Sequence, residues 1–130
     1  MRILVVDDND QMREMLRLIL ETAGHEVLDA ANGKIALHLL KTMTVDLVIT
    51  DIIMPEMEGI ELVMNIHKLY PRVKIIAISG GGKVDPNLCL GMAGKLGADR
   101  TLLKPFSKST LISIIGELFP DSNLHNMEDV

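Results

Sequence analysis

Five residues able to handle a phosphoryl group each follow a short apolar run of the sequence. They are Asp7, Asp8, Asp51, Ser79 and Lys104. Carboxylates held close together repel one another by ~4 kcal/mol per pair at an effective dielectric of about 20, so such a group favours a bound cation. Oxygen ligands with space for water suit Mg²⁺, and a carboxylate beside them can attack phosphorus while an ammonium and a hydroxyl balance the phosphoryl oxygens. The set predicts Mg²⁺-dependent formation of an aspartyl phosphate.

The apolar runs that precede these residues predict the strands that position them. They cover residues 3–6, 47–50, 75–78 and 102–103. Because the runs are short and rich in β-branched residues, they are typical of strands buried on both faces of a parallel sheet. Ligands of open α/β sheets bind beyond the carboxyl ends of the strands, so one rim should carry all five residues.

Stretches with helical periodicity alternate with these strands. The pattern predicts a further strand at 26–30 and helices near 12–23, 35–41, 58–68, 86–96 and 107–118. Five βα units favour an α/β, flavodoxin-like, doubly wound, five-stranded parallel sheet of order 2-1-3-4-5 with five helices. In that order strands one and three are adjacent, so Asp7, Asp8 and Asp51 should converge.

The length of 130 residues predicts one domain, at 1–119, followed by a polar, flexible C-terminal tail at 120–130. Within the domain, the helix at 86–96 contains Gly91 and Gly94. An interior glycine costs ~1 kcal/mol relative to alanine, so this helix should belong to the less stable part of the fold.

Composition excludes several classes of partner. Aromatic residues make up 2% of the chain and the net charge is −5, which argues against direct nucleic-acid binding. Cys89 has no second cysteine to pair with, and no apolar stretch approaches the ~20 residues of a membrane span. These features predict a cytoplasmic protein with no membrane partner.

At this point the residues match a known family. Residues 3–8 (ILVVDD), 51–59 (DIIMPEMEG), Ser79, 97–99 (GAD) and 104–106 (KPF) closely resemble the receiver domain of two-component response regulators over about residues 2–119. The resemblance implies that Asp51 accepts a phosphoryl group from a phosphohistidine on a sensor histidine kinase or a histidine phosphotransfer protein. It implies a signalling phosphoacceptor that promotes its own phosphorylation and dephosphorylation, rather than an enzyme acting on a separate substrate.

The resemblance also assigns roles by position. Mg²⁺ would be held by Asp7, Asp8, Asp51 and the Ile53 main-chain carbonyl. Ser79 would be the switch hydroxyl and Lys104 the lysine that contacts the phosphoryl group, while Pro105 would follow a cis peptide bond.

One position departs from the family pattern. Three residues before the lysine the family usually has Tyr or Phe, whose ring turns inward on activation, whereas this chain has Thr101. Because threonine has no ring to bury, output should depend more on the glycine-rich loop that begins at Gly80 and on the helix at 86–96.

Two apolar stripes suggest partner contacts. Met15 and Leu18 lie on a second stripe of the first helix, which resembles the family's docking face for the phosphodonor. Ile112, Ile115 and Phe119 predict a half-exposed stripe on the last helix. In the family the face formed by helix four, strand five and helix five mediates output or dimer contacts, so a monomer or a weak dimer is expected, with a downstream effector protein as partner.

Other interpretations stay open from sequence. The chain could be a stand-alone regulator, a phosphorelay intermediate or the receiver of a longer regulator with an output domain. A pseudo-receiver that only binds partners would require a lost site residue, and the only departure is at Thr101. A phosphatase that uses an aspartyl nucleophile is disfavoured, because its second acid would stand two residues after Asp51, where Ile53 lies.

Overall fold

The fold is an α/β sheet with helices on both faces. A computed structural model describes residues 1–52, 58–80, 91 and 93–120. All strand pairs are parallel, and the order β2-β1-β3-β4-β5 is the predicted flavodoxin-like order. The strands are β1 (Arg2–Val6), β2 (Glu26–Ala30), β3 (Leu47–Asp51), β4 (Lys74–Ser79) and β5 (Arg100–Leu103).

Helices connect successive strands, as the alternating pattern predicts. They are α1 (Asp10–Thr22), α2 (Gly33–Thr42), α3 (Glu58–Leu69), α4, of which residues 91 and 93–95 are described, and α5 (Lys108–Leu118). Side chains of Asn9, Asn32 and Ser107 cap α1, α2 and α5 by accepting a hydrogen bond from a first-turn N–H. An N-cap of this kind satisfies one of the donors that a helix start leaves without an intrahelical partner.

Two aliphatic clusters hold the helices against the sheet. On one face, α1 and α5 pack through side chains that include Leu16, Leu20 and Leu111. On the other face, α2 and α3 pack through side chains that include Ala36, Val63 and Ile66. Burying aliphatic side chains stabilises the fold by about 1.5–3 kcal/mol each, so the core does not depend on aromatic residues.

Strand register brings the predicted site residues to one edge. Val6 pairs with Thr50 and Ser79 with Leu103, so Asp7 lies beside Asp51, and Lys104 follows the partner of Ser79. We call this edge, where the strands end, the carboxyl edge, and the opposite edge, where they begin, the amino edge.

Two details of helix packing correct the sequence predictions. Ile115 is buried on the core side of α5, so Ile112, Ile115 and Phe119 do not form a half-exposed stripe. Ile112 and Phe119 are partly buried, and Phe119 packs against the same core cluster. The helix predicted at 12–23 extends one residue too far, because α1 ends at Thr22 and Ala23 is an exposed C-cap.

Some predictions fall on residues beyond the described ranges. They concern Ile53, most of the helix at 86–96, and residues 121–130 of the tail. The domain boundary at 119/120 stays a prediction. Among the helices that the structure describes, none combines the length and apolar character needed to cross a membrane.

Candidate functional site

A cluster of three carboxylates lies at the carboxyl edge. Ligand oxygens of Asp7, Asp8 and Asp51 are all within 4.8 Å of one another. Asp7 and Asp51 are only 2% and 7% exposed, whereas Asp8 is open to solvent. The cluster therefore has a buried side on the strand ends and an open side through which a ligand could enter.

Lys104 lies next to this cluster. Its Nζ atom donates a hydrogen bond to Asp51 Oδ2 at 3.0 Å and is 3.7 Å from Asp7 Oδ2. One ammonium thus faces two buried carboxylates. Since three acids share one described lysine, the cluster keeps an excess of negative charge.

The burial of Asp7 affects the pKa of its carboxyl group. Burial raises the pKa of its carboxyl group above the ordinary 3.8, and the nearby Asp51 and Asp8 carboxylates act in the same direction. The hydrogen bond from the Asn9 N–H and the charge of Lys104 lower this pKa, but they do not reverse the shift. The site therefore disfavours the charged state of Asp7, and a bound cation would relieve this cost.

Asn9, just before α1, and Arg13, within α1, hold Asp7 in place, which the motifs did not reveal. Asn9 donates its N–H to Asp7 Oδ1 at 2.8 Å, and its side chain caps α1. Arg13 donates to the Asp7 carbonyl at 2.8 Å and pairs with Asp10. The N-cap pattern of Asn9 was a readable signal, whereas nothing in the spacing of Arg13 indicated its contact with Asp7.

Ser79 contributes a buried hydroxyl at the end of β4. Its side chain is fully buried, and its Oγ atom has no hydrogen-bond partner among the described residues. Leaving a buried hydroxyl unpaired costs about 1–3 kcal/mol, so such groups in native structures call for a functional explanation. A ligand oxygen at the carboxyl edge is one partner that would satisfy it.

Residue 80 must be glycine because Lys104 lies directly against it. A Cβ atom at residue 80 would overlap the Lys104 Cβ and press on its backbone at 3.1 Å, and the Lys104 N–H donates to the Ser79 carbonyl at 2.7 Å. Glycine at residue 80 therefore lets the end of β4 and Lys104, which follows β5, lie close together.

A second glycine packs under Asp51. A Cβ atom at Gly59, in the first turn of α3, would overlap the Asp51 carbonyl oxygen and the Ile52 backbone. In addition, the buried Thr50 hydroxyl donates to the Asp51 carbonyl at 3.0 Å. The Asp51 main chain is therefore confined by a helix and a neighbouring side chain.

Three predicted positions remain, namely Pro105, Thr101 and Ile53. The Lys104–Pro105 peptide bond is cis, as the resemblance implied. Thr101 is exposed on the edge strand β5. Ile53 lies outside the described residues, so its carbonyl stays a predicted ligand.

The predicted docking residues adjoin a groove beside the site. Met15 and Leu18 of α1 are 42% and 68% exposed. Met15 lines a largely apolar groove of about 500 Å³, together with Met12, Gly80, Lys104, Pro105 and Phe106. Leu18 is not among the lining residues.

The donor set fits the predicted metal. Three carboxylates, one of them exposed, match a hard cation that keeps several waters and binds through a few acidic oxygens. The described residues include no histidine or cysteine in this cluster, which a softer metal would favour.

The match to known proteins agrees with this geometry. The family model of the response regulator receiver domain matches residues 3–116. The chain belongs to the response regulator receiver family of two-component signalling.

Individual relatives differ in how much of their length the chain covers. The chain is 38% identical to the chemotaxis protein CheY of Thermotoga maritima, over 90% of this chain and 96% of that protein. It is 35% identical to a transcriptional regulatory protein, the CpxR homolog of Haemophilus influenzae, but spans only 56% of that protein. It spans 24% of the regulatory protein AtoC of Escherichia coli. Its relatives thus include both a protein of receiver length and much longer regulators.

Solved structures give the same fold. A CheY-like receiver domain protein from Methanospirillum hungatei superposes with a TM-score of 0.82 at 31% identity, over 95% of this chain and 97% of that one. NtrX from Brucella abortus superposes with a TM-score of 0.84, and the chain covers 29% of it. The predicted CheY-like, flavodoxin-like architecture is confirmed.

Proposed function

We propose that this receiver accepts a phosphoryl group on Asp51 from the phosphohistidine of a sensor histidine kinase or a histidine phosphotransfer protein, and that phosphorylation changes its contacts with a downstream effector protein. The observation that supports this most directly is the 3.0 Å contact between Lys104 Nζ and Asp51 Oδ2 within a cluster of three carboxylates. These are the groups that phosphoryl transfer needs at one edge of the sheet.

The proposed reaction moves one phosphoryl group between two protein side chains. An Asp51 carboxylate oxygen attacks phosphorus and forms an O–P bond, while the P–N bond of the donor breaks. The electron pair of that bond returns to the imidazole nitrogen, which leaves as neutral imidazole when its other nitrogen carries a proton. Attack of water on the phosphorus of phospho-Asp51 would release inorganic phosphate and restore the carboxylate.

Two side chains would hold the transferred group. Lys104 is already placed against Asp51 Oδ2 and would pair with a phosphoryl oxygen as negative charge moves onto it. The Ser79 hydroxyl, which lacks a described partner, would donate to another phosphoryl oxygen. Gly80 would serve both by letting Lys104 lie close to the end of β4.

Asp7, Asp8, Asp51 and the Ile53 carbonyl would hold Mg²⁺. When bound, the ion supplies positive charge to the phosphoryl oxygens and screens the carboxylates from one another. Asn9 and Arg13 would act as positioning residues, because they fix the side chain and carbonyl of Asp7.

Signal output would not use an aromatic rotamer at residue 101. Thr101 is exposed and has no ring to bury. The phosphorylation signal would therefore pass through Ser79 and the segment that follows it. Amide exchange over residues 80–96, measured with and without a phosphoryl mimic, should slow on binding the mimic. Unchanged exchange there would contradict this route.

The phosphodonor would dock on α1 beside the site. The apolar groove that Met15 lines reaches Lys104, so a helix carrying the phosphohistidine could rest there close to Asp51. Met15→Lys or Leu18→Lys should slow transfer from a phosphorylated partner but leave labelling by acetyl phosphate unchanged. Met64→Lys on α3, at a position of similar exposure, is the matched control. An equal loss in both assays would refute docking through α1.

Phosphorylation itself is tested with a small donor. Incubation with acetyl phosphate and Mg²⁺ should add the mass of one phosphoryl group to the wild type, in an acid-labile form, and none to Asp51→Asn. Asp46→Asn, at the amino edge, should be labelled like the wild type. If the wild type fails to gain mass while correctly folded, a pseudo-receiver that only binds partners becomes the better interpretation.

The relatives suggest two settings for this activity. CheY, of receiver length, favours a stand-alone regulator or relay intermediate, whereas the longer regulators favour a receiver joined to an output domain.

A further inference from the structure

Helix α2 presents a basic surface that the phosphoryl chemistry does not use. Lys34, His38 and Lys41 are exposed and lie four and three residues apart, so they follow one side of the helix. The helix contains no acidic residue, and Ile35 beside them is 44% exposed. In the described part of the chain neither lysine pairs with a carboxylate.

Arg72 extends this surface beyond the end of α2. The other four arginines, Arg2, Arg13, Arg17 and Arg100, are paired with carboxylates. Arg72 is exposed and has no such partner within the described residues. We call Lys34, Ile35, His38, Lys41 and Arg72 the α2 basic face.

Grooves run along this face. One, of about 500 Å³, is lined by Lys34, Ile35, Leu37, His38 and Lys41. Another, of about 450 Å³, continues between the α2–β3 and α3–β4 connections, with Lys41 and Arg72 beside apolar side chains that include Leu40, Val45 and Val73. Lys41 lines both grooves, so they lie next to each other, and cations border each of them.

We propose that the α2 basic face docks an acidic amphipathic helix of a partner protein. Its unpaired cations stand out in a chain of net charge −5, and they would attract carboxylates. Lys34 and Lys41 are about 10 Å apart along the helix axis at 1.5 Å per residue, so carboxylates two turns apart on the incoming helix would reach both. Its apolar side chains would fill the grooves.

A protein helix suits this face better than a lipid surface. Anionic membranes are typically bound by clusters of about four to eight Lys or Arg residues. The α2 basic face has three such residues, and its grooves are concave. A net negative chain is also repelled by an anionic bilayer.

The probe for the test is the capped acidic peptide LEELLEELLEEL, added to the ¹⁵N-labelled, unphosphorylated chain. We expect amide shifts at residues 34–41 and 70–73, and binding that weakens as salt increases. The basic peptide LKKLLKKLLKKL should produce no shifts there. Because the probe is added without any phosphodonor, the outcome is independent of phosphorylation at Asp51.

A matched pair of double variants separates this face from overall charge. Lys34→Glu with Lys41→Glu should weaken peptide binding about tenfold, since two attractions become repulsions. Lys95→Glu with Lys108→Glu makes the same change in net charge at exposed positions elsewhere and should leave the affinity within about twofold. If the first pair fails to fold, Lys34→Gln with Lys41→Gln replaces it.

Three outcomes would overturn the proposal. They are an absence of shifts on α2, equal weakening by both double variants, and α2 shifts caused by phosphatidylserine vesicles but not by the peptide.

Discussion

The two edges of the sheet use the same residue types in opposite ways. At the amino edge, Asp46 accepts the Arg2 N–H at 2.9 Å and Asp99 accepts the Ile75 N–H at 2.8 Å. Both carboxylates have solvent access, and Lys74 lies 4.0 Å from Asp99. At the carboxyl edge, Asp7 and Asp51 are buried, and the three acids outnumber the lysine beside them. Carboxylates that satisfy strand ends stabilise the fold, whereas crowded ones leave a site ready for a cation.

The largest difference between the two edges should appear in the rate of phosphorylation when one lysine is replaced at each edge. Lys104→Met should slow labelling by acetyl phosphate about 100-fold, the size of effect seen when a donor to transition-state charge is lost. Lys74→Met should change the rate less than about twofold, because its ion pair is exposed and long. Time courses followed by intact mass give both rates, and similar rates in the two variants would break the comparison.

Substitution of a glycine at the carboxyl edge should mainly affect stability. Gly80→Ala places a methyl group against Lys104 and should lower the free energy of unfolding by about 1–3 kcal/mol. Gly94→Ala, where a methyl group meets nothing within 4 Å, should raise it by up to about 1 kcal/mol. Urea denaturation measures both, and a neutral Gly80→Ala would contradict the close approach at this edge.

Neutralising one acid at each edge should change the free energy of unfolding in opposite directions. Without divalent cations at neutral pH, Asp7→Asn should raise the free energy of unfolding by about 1 kcal/mol, because it removes a buried, repelled charge. Asp46→Asn should lower it by up to about 1 kcal/mol, because the Arg2 N–H loses a charged acceptor.

The pH dependence of Asp7→Asn sharpens this test. Since the folded pKa of Asp7 is raised, wild-type stability falls as pH rises through that pKa. The higher stability of Asp7→Asn should therefore shrink as the pH falls, and it should disappear well below the ordinary pKa of 3.8, where the wild-type carboxyl is protonated in both the folded and the unfolded state. Added Mg²⁺ should stabilise the wild type more than the variant. An advantage that persists at low pH would indicate a cause other than charge.

The smallest expected effect on stability comes from the titration of His25, which lies near the amino edge. Burial, with a smaller contribution from the N-terminal charge, lowers the pKa of His25 below its ordinary 6.5. Wild-type stability should then fall as pH drops from about 7 to 5, because the unfolded state binds the proton more readily. His25→Gln should flatten this slope, by less than about 1 kcal/mol in unfolding free energy, and an unchanged slope would exclude His25 as its source.

The strand order could be predicted because five βα units follow one another along the chain, which favours the flavodoxin-like order that the structure has. The predicted convergence of Asp7 and Asp51 followed from the adjacency of β1 and β3 in that order. The stripe on α5 was predicted less well, because Ile115 belongs by spacing to both the inner and the outer face. Only packing against the sheet decides that it is buried.

Within the site, residue types were predictable but their environments were not. Asp7 and Asp8 are adjacent and chemically equal, yet one is buried and the other exposed, because successive residues at a strand end point in different directions. The hydrogen bond of Arg13 to the Asp7 carbonyl depends on how α1 packs over β1, which no local pattern encodes.

Gly59 limits how the surroundings of Asp51 can be altered. Because the first turn of α3 packs directly against the main chain of Asp51 and Ile52, no side chain at residue 59 fits between the helix and the strand end. Any residue larger than glycine at this position would push the helix away. Redesign for a bulkier phosphoryl donor would therefore have to change other residues around the site.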